Sequence, residues 1–153
     1  MKLSRTVLYA LQATLQLAET NAKEPTPCSK LAANGSMPER FLLQILRSLV
    51  THGILQSTRG VEGGYTLIKP PEDVSLLEII EAIDGPIGGQ FPANGGLDER
   101  SLERLTSALD DVTSSARQKL HAVKLSQIIE GRASDTAPHL SQAARSAETE
   151  LAS

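Results

Sequence analysis

The stretch from Ser36 to Tyr65 constrains the fold of this chain more than any other. Its residues predict, in order, a helix, a glycine turn, a short strand, a glycine-rich loop and the start of a second strand. Ser36 and Glu39 have the spacing of a capping box and Pro38 suits a first helical turn, so we expect the helix to begin near Met37. A helix followed by such a hairpin is typical of a winged helix.

The predicted helix has one apolar face. Apolar side chains recur on it at spacings of three and four residues, and they are Leu42, Ile45, Leu46 and Leu49. Arg40, Gln44 and Arg47 fall on other faces, with Leu43 beside them. We therefore expect one face to pack inside the domain and another to be free to contact a partner.

The hairpin after this helix has a glycine-rich tip. Gly53 should end the helix, and strands should cover residues 54–59 and 65–69. No Gly-Lys-Ser/Thr sequence follows the tip, so it is not a nucleotide-binding loop. The candidate contact residues of this wing are Thr58, Arg59, Gly60, Gly63, Gly64 and Tyr65. Arg59 beside flexible glycines suits a narrow minor groove, and a purely structural hairpin tip is the alternative.

Two helices are predicted upstream. The first should span residues 2–19 with Ser4 as its N-cap, where Lys2, Ser4 and Arg5 are placed to meet phosphate or to remain solvated. A short helix over residues 28–33, capped by Thr26, should turn at Gly35 into the longer helix. This order is that of a helix-turn-helix, although an αα-hairpin with no role in DNA binding has the same pattern.

The second half of the chain predicts one more helix of the winged domain, followed by a linker, a long helix and a tail. Ser75 and Glu78 form another capping box, and the helix they begin should end at Asp84-Gly85. We expect residues 1–86 to form the winged domain and residues 87–96 to form a linker. A long helix and a short terminal helix should cover residues 97–130, and residues 131–153 should be a disordered tail.

The long helix carries a narrow apolar stripe. It consists of Leu102, Leu105, Leu109, Val112, Ala116 and Leu120. A helix of about 25 residues spans about 37 Å, which is more than a small winged domain can cover. We therefore expect a second subunit to cover the stripe.

Charge is divided between the two halves. The net charge is −3, yet residues 1–70 carry eight basic and four acidic side chains, while residues 71–153 carry seven and fourteen. A basic first half is typical of a chain that presents one end to a polyanion, although short segments also differ in charge by chance. No apolar run is long enough to span a membrane and no secretory signal is evident, so we expect a cytoplasmic protein.

Catalytic and metal chemistry find no support in the sequence. We find no nucleophile–base pair, no Walker or Rossmann loop and no ligand cluster, so we expect neither an enzyme nor a cofactor. His52, His121 and His139 are better explained as solvated or packed side chains than as ligands. Cys28, the single cysteine, stands at a helix N-terminus as either a packed side chain or a candidate redox residue.

The segment GILQSTRGVEGGYTLIKPPEDVSLLEIIEAIDGP, together with KLSRTVLYAL and FLLQILRSLVTHGI, resembles the Rrf2 family of bacterial winged-helix transcriptional regulators. The resemblance covers residues 1–86 closely and the long helix only in kind. It implies a homodimer joined through the long helices, bound to an imperfect DNA palindrome. It also implies DNA contacts from Arg40, Gln44 and Arg59.

One departure from the family concerns iron. The cluster-binding members carry three cysteines between the last helix of the winged domain and the long helix, and residues 85–100 contain none. The resemblance therefore implies a cluster-free branch that responds to a metabolite, a partner protein or oxidation of Cys28. Independently of the resemblance, the linker around Phe91 is a candidate effector pocket for a small molecule.

The sequence as a whole predicts a mainly α protein with a winged helix-turn-helix, a two-stranded wing and a long dimerisation helix. The predicted function is a dimeric, sequence-specific DNA-binding regulator, with a repressor as the expected type. A winged-helix module that binds another protein is the alternative.

Overall fold

The computed structural model describes residues 1–20, 24–89 and 96–136. The described elements are α1 (Arg5–Glu19), α2 (Cys28–Gly35), α3 (Glu39–Thr51), β1 (Leu55–Thr58), β2 (Gly64–Leu67), a 3₁₀ turn (Pro71–Asp73), α4 (Leu76–Asp84), α5 (Glu99–Ala122) and α6 (Leu125–Thr136). Helices dominate and the two strands form one antiparallel hairpin, so the predicted mainly α fold is confirmed.

Helix α1 lies at the centre of the fold. Ser4 caps it, as predicted, because its hydroxyl accepts a hydrogen bond from the Val7 N–H at 3.2 Å. One face of α1 is buried against α3 and α4, including Ala10 and Ala13 at 0% exposure. Small side chains at these positions let the helices approach closely, and the core is almost wholly aliphatic.

The predicted capping box at Ser36 and Glu39 is wrong. Ser36 instead ends α2 in the left-handed conformation, with φ of 52°, and α3 begins at Glu39 after Pro38. The cause is the turn that buries Met37, whose N–H donates to the Ala32 carbonyl at 2.9 Å.

Gly35 is the last residue of α2 and lies close to side chains of Met37 and α1. A Cβ there would lie 2.5 Å from Met37 Cε and 2.9 Å from Gln12 Nε2. Both atoms end flexible side chains that can move aside, and the positive φ expected of a glycine turn falls on Ser36.

The end of α3 and the hairpin follow the sequence closely. Gly53 has φ of 73° immediately after α3, as a helix-ending glycine should. In the hairpin, Leu55 pairs with Leu67 and Thr58 pairs with Gly64. Both strands are shorter than predicted.

The second capping box is confirmed. The Ser75 hydroxyl accepts from the Glu78 N–H at 3.2 Å, and Glu78 Oε2 accepts from the Ser75 N–H at 2.9 Å. Burial alone would raise the pKa of Glu78, but hydrogen bonds from Ser75 and Lys69 outweigh it and hold that pKa below its ordinary value.

Replacing Glu78 with alanine should lower the free energy of unfolding at neutral pH by about 1 kcal/mol, because the Ser75 N–H loses its acceptor. A carboxylate with a lowered native pKa stabilises the fold above its ordinary pKa, about 4.3, and loses that contribution as the pH falls through the native value. Urea titrations at several pH values should therefore show the difference shrinking in acid. Glu72→Ala is the control, and an equal loss there would contradict a specific role for Glu78.

Helix α5 is tied to the body at its C-terminal end. The Leu76 N–H donates to the Val123 carbonyl, and the Leu125 N–H donates to the Val74 carbonyl, both at 3.0 Å. Leu125 is fully buried, and α6 packs against α1. Helix α6 continues to Thr136, past the predicted end of the terminal helix at residue 130.

None of the helices in the described part of the chain is long and apolar enough to cross a membrane. Most of the predicted linker, including Phe91, and residues 137–153 of the predicted tail, including His139, lie outside the described residues.

Candidate nucleic-acid interface

Helix α3 presents a polar stripe on the side away from the core. Its four predicted core residues are buried, with Leu42, Leu46 and Leu49 at 0% exposure, and they hold α3 against α1 and α2. Arg40, Gln44 and Arg47 are exposed and follow one another at four- and three-residue spacings. This spacing puts them on one face of the helix. The face can therefore enter a groove without disturbing the core.

The N-terminal part of α3 is braced by aromatic packing. The rings of Phe41 and Tyr9 meet edge to face with their centroids 5.8 Å apart. Leu43, predicted on a face open to contact, is half-buried. The ring contact thus adds to the packing of α3 against α1.

The wing divides into an exposed tip and an anchored base. Thr58, Arg59 and Gly60 are exposed, whereas Gly63, Gly64 and Tyr65 are half-buried. The first three residues are therefore placed to touch a ligand. The last three serve chiefly to hold the tip in place.

A backbone bridge that the sequence analysis missed fastens the base of the wing. The Thr26 N–H donates to the Tyr65 carbonyl at 3.0 Å, and the Tyr65 N–H donates to the Thr26 carbonyl at 2.9 Å. Thr26, predicted to cap α2, therefore pairs with β2 instead, and Pro27 precedes α2. No local signal predicts this pairing, because its partners are far apart in the sequence.

Gly64 makes the bridge possible. A Cβ at this position would lie 2.3 Å from the carbonyl carbon and oxygen of Thr26 and 2.7 Å from Pro27 N. These atoms belong to backbone and cannot turn aside as a flexible side chain could. Of the two neighbouring glycines in the wing, Gly64 is thus required because a side chain there would collide with the backbone of Thr26.

Replacing Gly64 with alanine should break the bridge, because the added methyl overlaps the backbone of Thr26. We expect a loss of about 1–3 kcal/mol in the free energy of unfolding. The amide protons of Thr26 and Tyr65 should also exchange faster with solvent, which hydrogen exchange measured by NMR will show.

Gly60→Ala is the matched control for this substitution. Gly60 also has positive φ, of 113°, but a Cβ there would meet nothing within 4 Å. Gly64 has φ of 155°, so alanine at either position adopts an unfavourable positive φ, but only alanine at Gly64 collides with a neighbouring backbone. Unchanged exchange at Thr26 and Tyr65 in Gly64→Ala, or equal losses in both variants, would contradict the packing role.

Cys28, Tyr65 and Arg47 lie close enough to interact electrostatically where the wing meets α2 and α3. Burial raises the pKa of Tyr65, the Cys28 thiolate raises it further, and the Arg47 guanidinium partly offsets both. The base of the wing therefore lies near the exposed stripe of α3.

Cys28 does not have the lowered pKa expected at a helix N-terminus. Burial raises the pKa of its thiol, and the Glu39 carboxylate adds to the effect. The Sγ atom lies 3.7 Å from the Glu39 carbonyl oxygen, to which it can donate. Desolvation and a neighbouring carboxylate thus oppose the helix dipole at Cys28, which favours the packed side chain over the candidate redox residue.

The N-terminus of α1 offers two exposed cations and one occupied hydroxyl. Lys2 and Arg5 are exposed. Ser4 is half-buried, and besides capping α1 its hydroxyl donates to Asp84 Oδ1 at 3.1 Å. Ser4 thus already has partners within the fold, one of them a carboxylate.

The apolar stripe of α5 lies uncovered over much of its length. No residue of α5 is buried, and Leu105, Leu109 and Val112 are 37%, 42% and 67% exposed. Leu102, Ala116 and Leu120 are half-buried. The exposed apolar side chains lie in the middle of α5.

The side chains that could bind a metal ion are not grouped together in the described residues. Among residues 1–20, 24–89 and 96–136, no three His, Cys, Asp or Glu side chains are grouped as metal ligands would be. His52 is exposed at the end of α3, where its Nδ1 lies 2.8 Å from the Ser48 carbonyl oxygen. His121 is exposed on α5.

Residues 3–131 match the Rrf2 family, whose description is iron-dependent transcriptional regulator. Among curated proteins, CymR of Bacillus subtilis, an HTH-type transcriptional regulator, is 29% identical over 74% of this chain and 86% of its own length. IscR of Cereibacter sphaeroides, also an HTH-type transcriptional regulator, is 29% identical over 84% of this chain and 87% of its own length.

Solved structures of the same kind share the fold. CymR of B. subtilis superposes with a TM-score of 0.69 at 23% identity, covering 85% of this chain and 97% of that one. IscR of T. potens superposes with a TM-score of 0.68 at 24% identity, covering 86% of this chain and 88% of that one.

Proposed function

This chain belongs to the Rrf2 family of transcriptional regulators, and on that premise we propose that it is a dimeric, sequence-specific DNA-binding repressor acting in the cytoplasm. One observation carries the proposal. The buried face of α3 leaves Arg40, Gln44 and Arg47 together on an exposed face, and Arg59 is exposed at the tip of the wing that follows.

In the proposed complex α3 reads the major groove. The Gln44 amide has the donor and acceptor needed to pair bidentately with adenine, and Arg40 can reach guanine or a phosphate. Both side chains are exposed one helical turn apart, so they face neighbouring base pairs. These two residues supply the base-specific part of recognition.

The wing and the N-terminus of α1 supply the remaining contacts. Arg59 enters the adjacent minor groove, where a narrow A·T segment attracts guanidinium groups. Gly60 lets the backbone of the tip approach, while Gly63, Gly64 and Tyr65 hold the tip in position. The side chains proposed to contact phosphate are Lys2, Ser4, Arg5, Arg47 and Thr58.

Of these phosphate contacts, Ser4 has the least support. Its hydroxyl already donates to Asp84, whose negative charge repels phosphate.

The dimer in this proposal forms through α5. An uncovered stripe of leucine and valine on a helix without buried residues is costly in water, and a second copy of the same stripe can cover it. Twofold symmetry then presents two copies of α3 to an imperfect palindrome, with half-sites about one helical turn apart or a multiple of it.

Iron does not enter the proposed mechanism. The family description names iron, but the chain contains one cysteine. That cysteine, Cys28, lies at the start of α2, and its Sγ contacts the carbonyl oxygen of Glu39. A cysteine-ligated cluster requires several thiolates, so the donor set of this chain does not fit one. Residues 85–100 also provide no thiol.

A redox role for Cys28 has no support in its surroundings. Its raised pKa keeps it mainly as the thiol at neutral pH, and the thiolate is the form that oxidants attack. We therefore assign Cys28 to packing at the base of the wing.

Fluorescence anisotropy tests the proposal. The purified chain is titrated into a duplex from upstream of its own gene and into a shuffled duplex, across a salt series. We expect tight binding to the first duplex alone, two chains per duplex and a steep loss of affinity with salt, because neutralised phosphates release counterions. Equal, weak and salt-insensitive binding to both duplexes would contradict it and favour a module that binds protein.

A further inference from the structure

Glu81 joins two segments on which the direction of α5 depends. It lies on α4, and its Oε1 accepts a hydrogen bond from the Ile87 N–H at 3.1 Å. The same oxygen accepts from Arg117 Nη1 of α5 and forms an ion pair with it. One carboxylate therefore holds both the turn that leaves α4 and the long helix.

The turn itself lies against α5. A Cβ on Gly88 would stand 3.5 Å from Thr113 Cγ2, so the backbone of the turn passes close to that side chain. Thr113 precedes Arg117 by one helical turn and lies on the same face of α5. The turn is thus hydrogen-bonded to Glu81 and passes close to the Thr113–Arg117 face.

Helix α5 is held to the winged domain by packing between half-buried side chains, by its fastened end and by the pair of Glu81 and Arg117. The helix has no buried residue, and it packs mainly against α4. Its C-terminal end is fastened at Val123, so that end acts as a pivot. Beyond the pivot, the pair formed by Glu81 and Arg117 adds a hydrogen bond and an ion pair to this packing.

The ion pair of Glu81 and Arg117 is partly shielded from solvent. The exposed fractions of its side chains are 39% for Arg117 and 22% for Glu81, so solvent screens their attraction only in part. The second hydrogen bond, from Ile87, keeps the carboxylate in place when no cation is near. The geometry favours a fixed orientation over a loose contact.

We propose that Glu81 is a positioning residue that fixes the direction of α5 through Arg117 and thereby sets the half-site spacing that the dimer accepts. This inference rests on the proposed function, because spacing has meaning only for two winged domains joined through α5. A tilt of about 10° over a lever of about 20 Å moves a winged domain by roughly 3.4 Å, the rise of one base pair. Loss of the ion pair between Glu81 and Arg117 should therefore weaken the preference for one half-site spacing and leave base recognition intact.

The decisive variant is Arg117→Met, which keeps an apolar stem and leaves the bond between Glu81 and Ile87 in place. Lys69→Met is its matched control. It removes the ion pair between Lys69 and Glu78, which lies on the winged domain and does not involve α5. Arg117→Lys, which restores a positive charge, serves as the rescue.

Two readouts test the proposal. The first needs no DNA: in a Cys28→Ser background, nitroxide labels at Gln56→Cys and Ser101→Cys report the distance from the wing to the start of α5 by pulsed electron resonance. We expect a narrow distribution in the parent chain and in Lys69→Met, a broad one in Arg117→Met, and a partial return with Arg117→Lys. Equal widths in the parent and in Arg117→Met would overturn the proposal.

The second readout is binding to a duplex series in which the half-site spacing changes by one and two base pairs. The parent should prefer one spacing by about tenfold, and Arg117→Met should reduce that preference to about twofold with single half-site affinity unchanged. A preference kept in full by Arg117→Met would overturn the inference and leave the proposed function standing. A parent that binds no duplex specifically would contradict the proposed function and the spacing role with it.

Discussion

Replacing Leu109 with glutamate should convert the protein to a monomer and lower its affinity for a palindromic duplex by at least about a hundredfold. Leu109 lies in the uncovered part of the α5 stripe, at 42% exposure. In a twofold dimer each copy would bury a carboxylate beside its symmetry mate, and neither charge would have a partner. Sedimentation velocity gives the oligomeric state, and anisotropy gives the affinity.

Ser114→Glu is the control for this substitution. Ser114 is exposed on a face of α5 away from the stripe, so the variant adds the same charge to the same helix without entering the proposed interface. It should remain a dimer and bind DNA as the parent does. A dimeric Leu109→Glu protein would show that the stripe of α5 is not the contact between subunits.

Replacing Arg59 with alanine should weaken binding to the specific duplex by about 1–3 kcal/mol, which is about 5- to 150-fold, and relax the preference for bases flanking each half-site. Arg59 is exposed at the tip of the wing, and Gly60 after it lets the chain turn toward a groove. The loss should be greatest for A·T-rich flanks, where the minor groove is narrowest. Anisotropy with duplexes that differ only in their flanks measures both effects.

Arg100→Ala provides the comparison for Arg59, because Arg100 is an exposed arginine at the start of α5. Its loss changes the net charge equally and should have little effect on affinity or on flank preference. Arg59→Ala binding specific and random duplexes as the parent does would remove the wing from recognition.

The sequence predicted those elements whose causes are local. The apolar spacing of α3 predicted the buried stripe and therefore which side chains would be exposed. Gly53 predicted the end of α3, and Ser75 with Glu78 predicted the start of α4. In each case a few neighbouring residues determine the outcome.

The two capping-box patterns show where such reasoning fails. Ser75 and Glu78 form the box, whereas Ser36 and Glu39 have the same spacing and do not. The burial of Met37 requires a sharp turn that places Ser36 in the left-handed conformation, where it cannot cap α3. Tertiary packing thus overrides a local preference, and sequence spacing alone does not reveal it.

The exposed residues of the candidate interface could be predicted from the sequence, whereas its long-range contacts could not. Exposure of Arg40, Gln44 and Arg59 follows from periodicity and from the turn. The pairing of Thr26 with Tyr65 and the ion pair of Glu81 with Arg117 each join distant segments, so no local pattern indicates them. The wing's glycines were expected to serve ligand approach, and Gly64 instead accommodates the backbone of Thr26.

Selection from a pool of random-sequence duplexes tests the central claim most directly, because the pool contains every candidate half-site and the protein itself selects among them. The purified chain should enrich an inverted repeat whose half-sites lie about one helical turn apart or a multiple of it, with A·T-rich flanks for the wing. Enrichment of no sequence, or of a single site without twofold symmetry, would contradict a dimeric sequence-specific regulator.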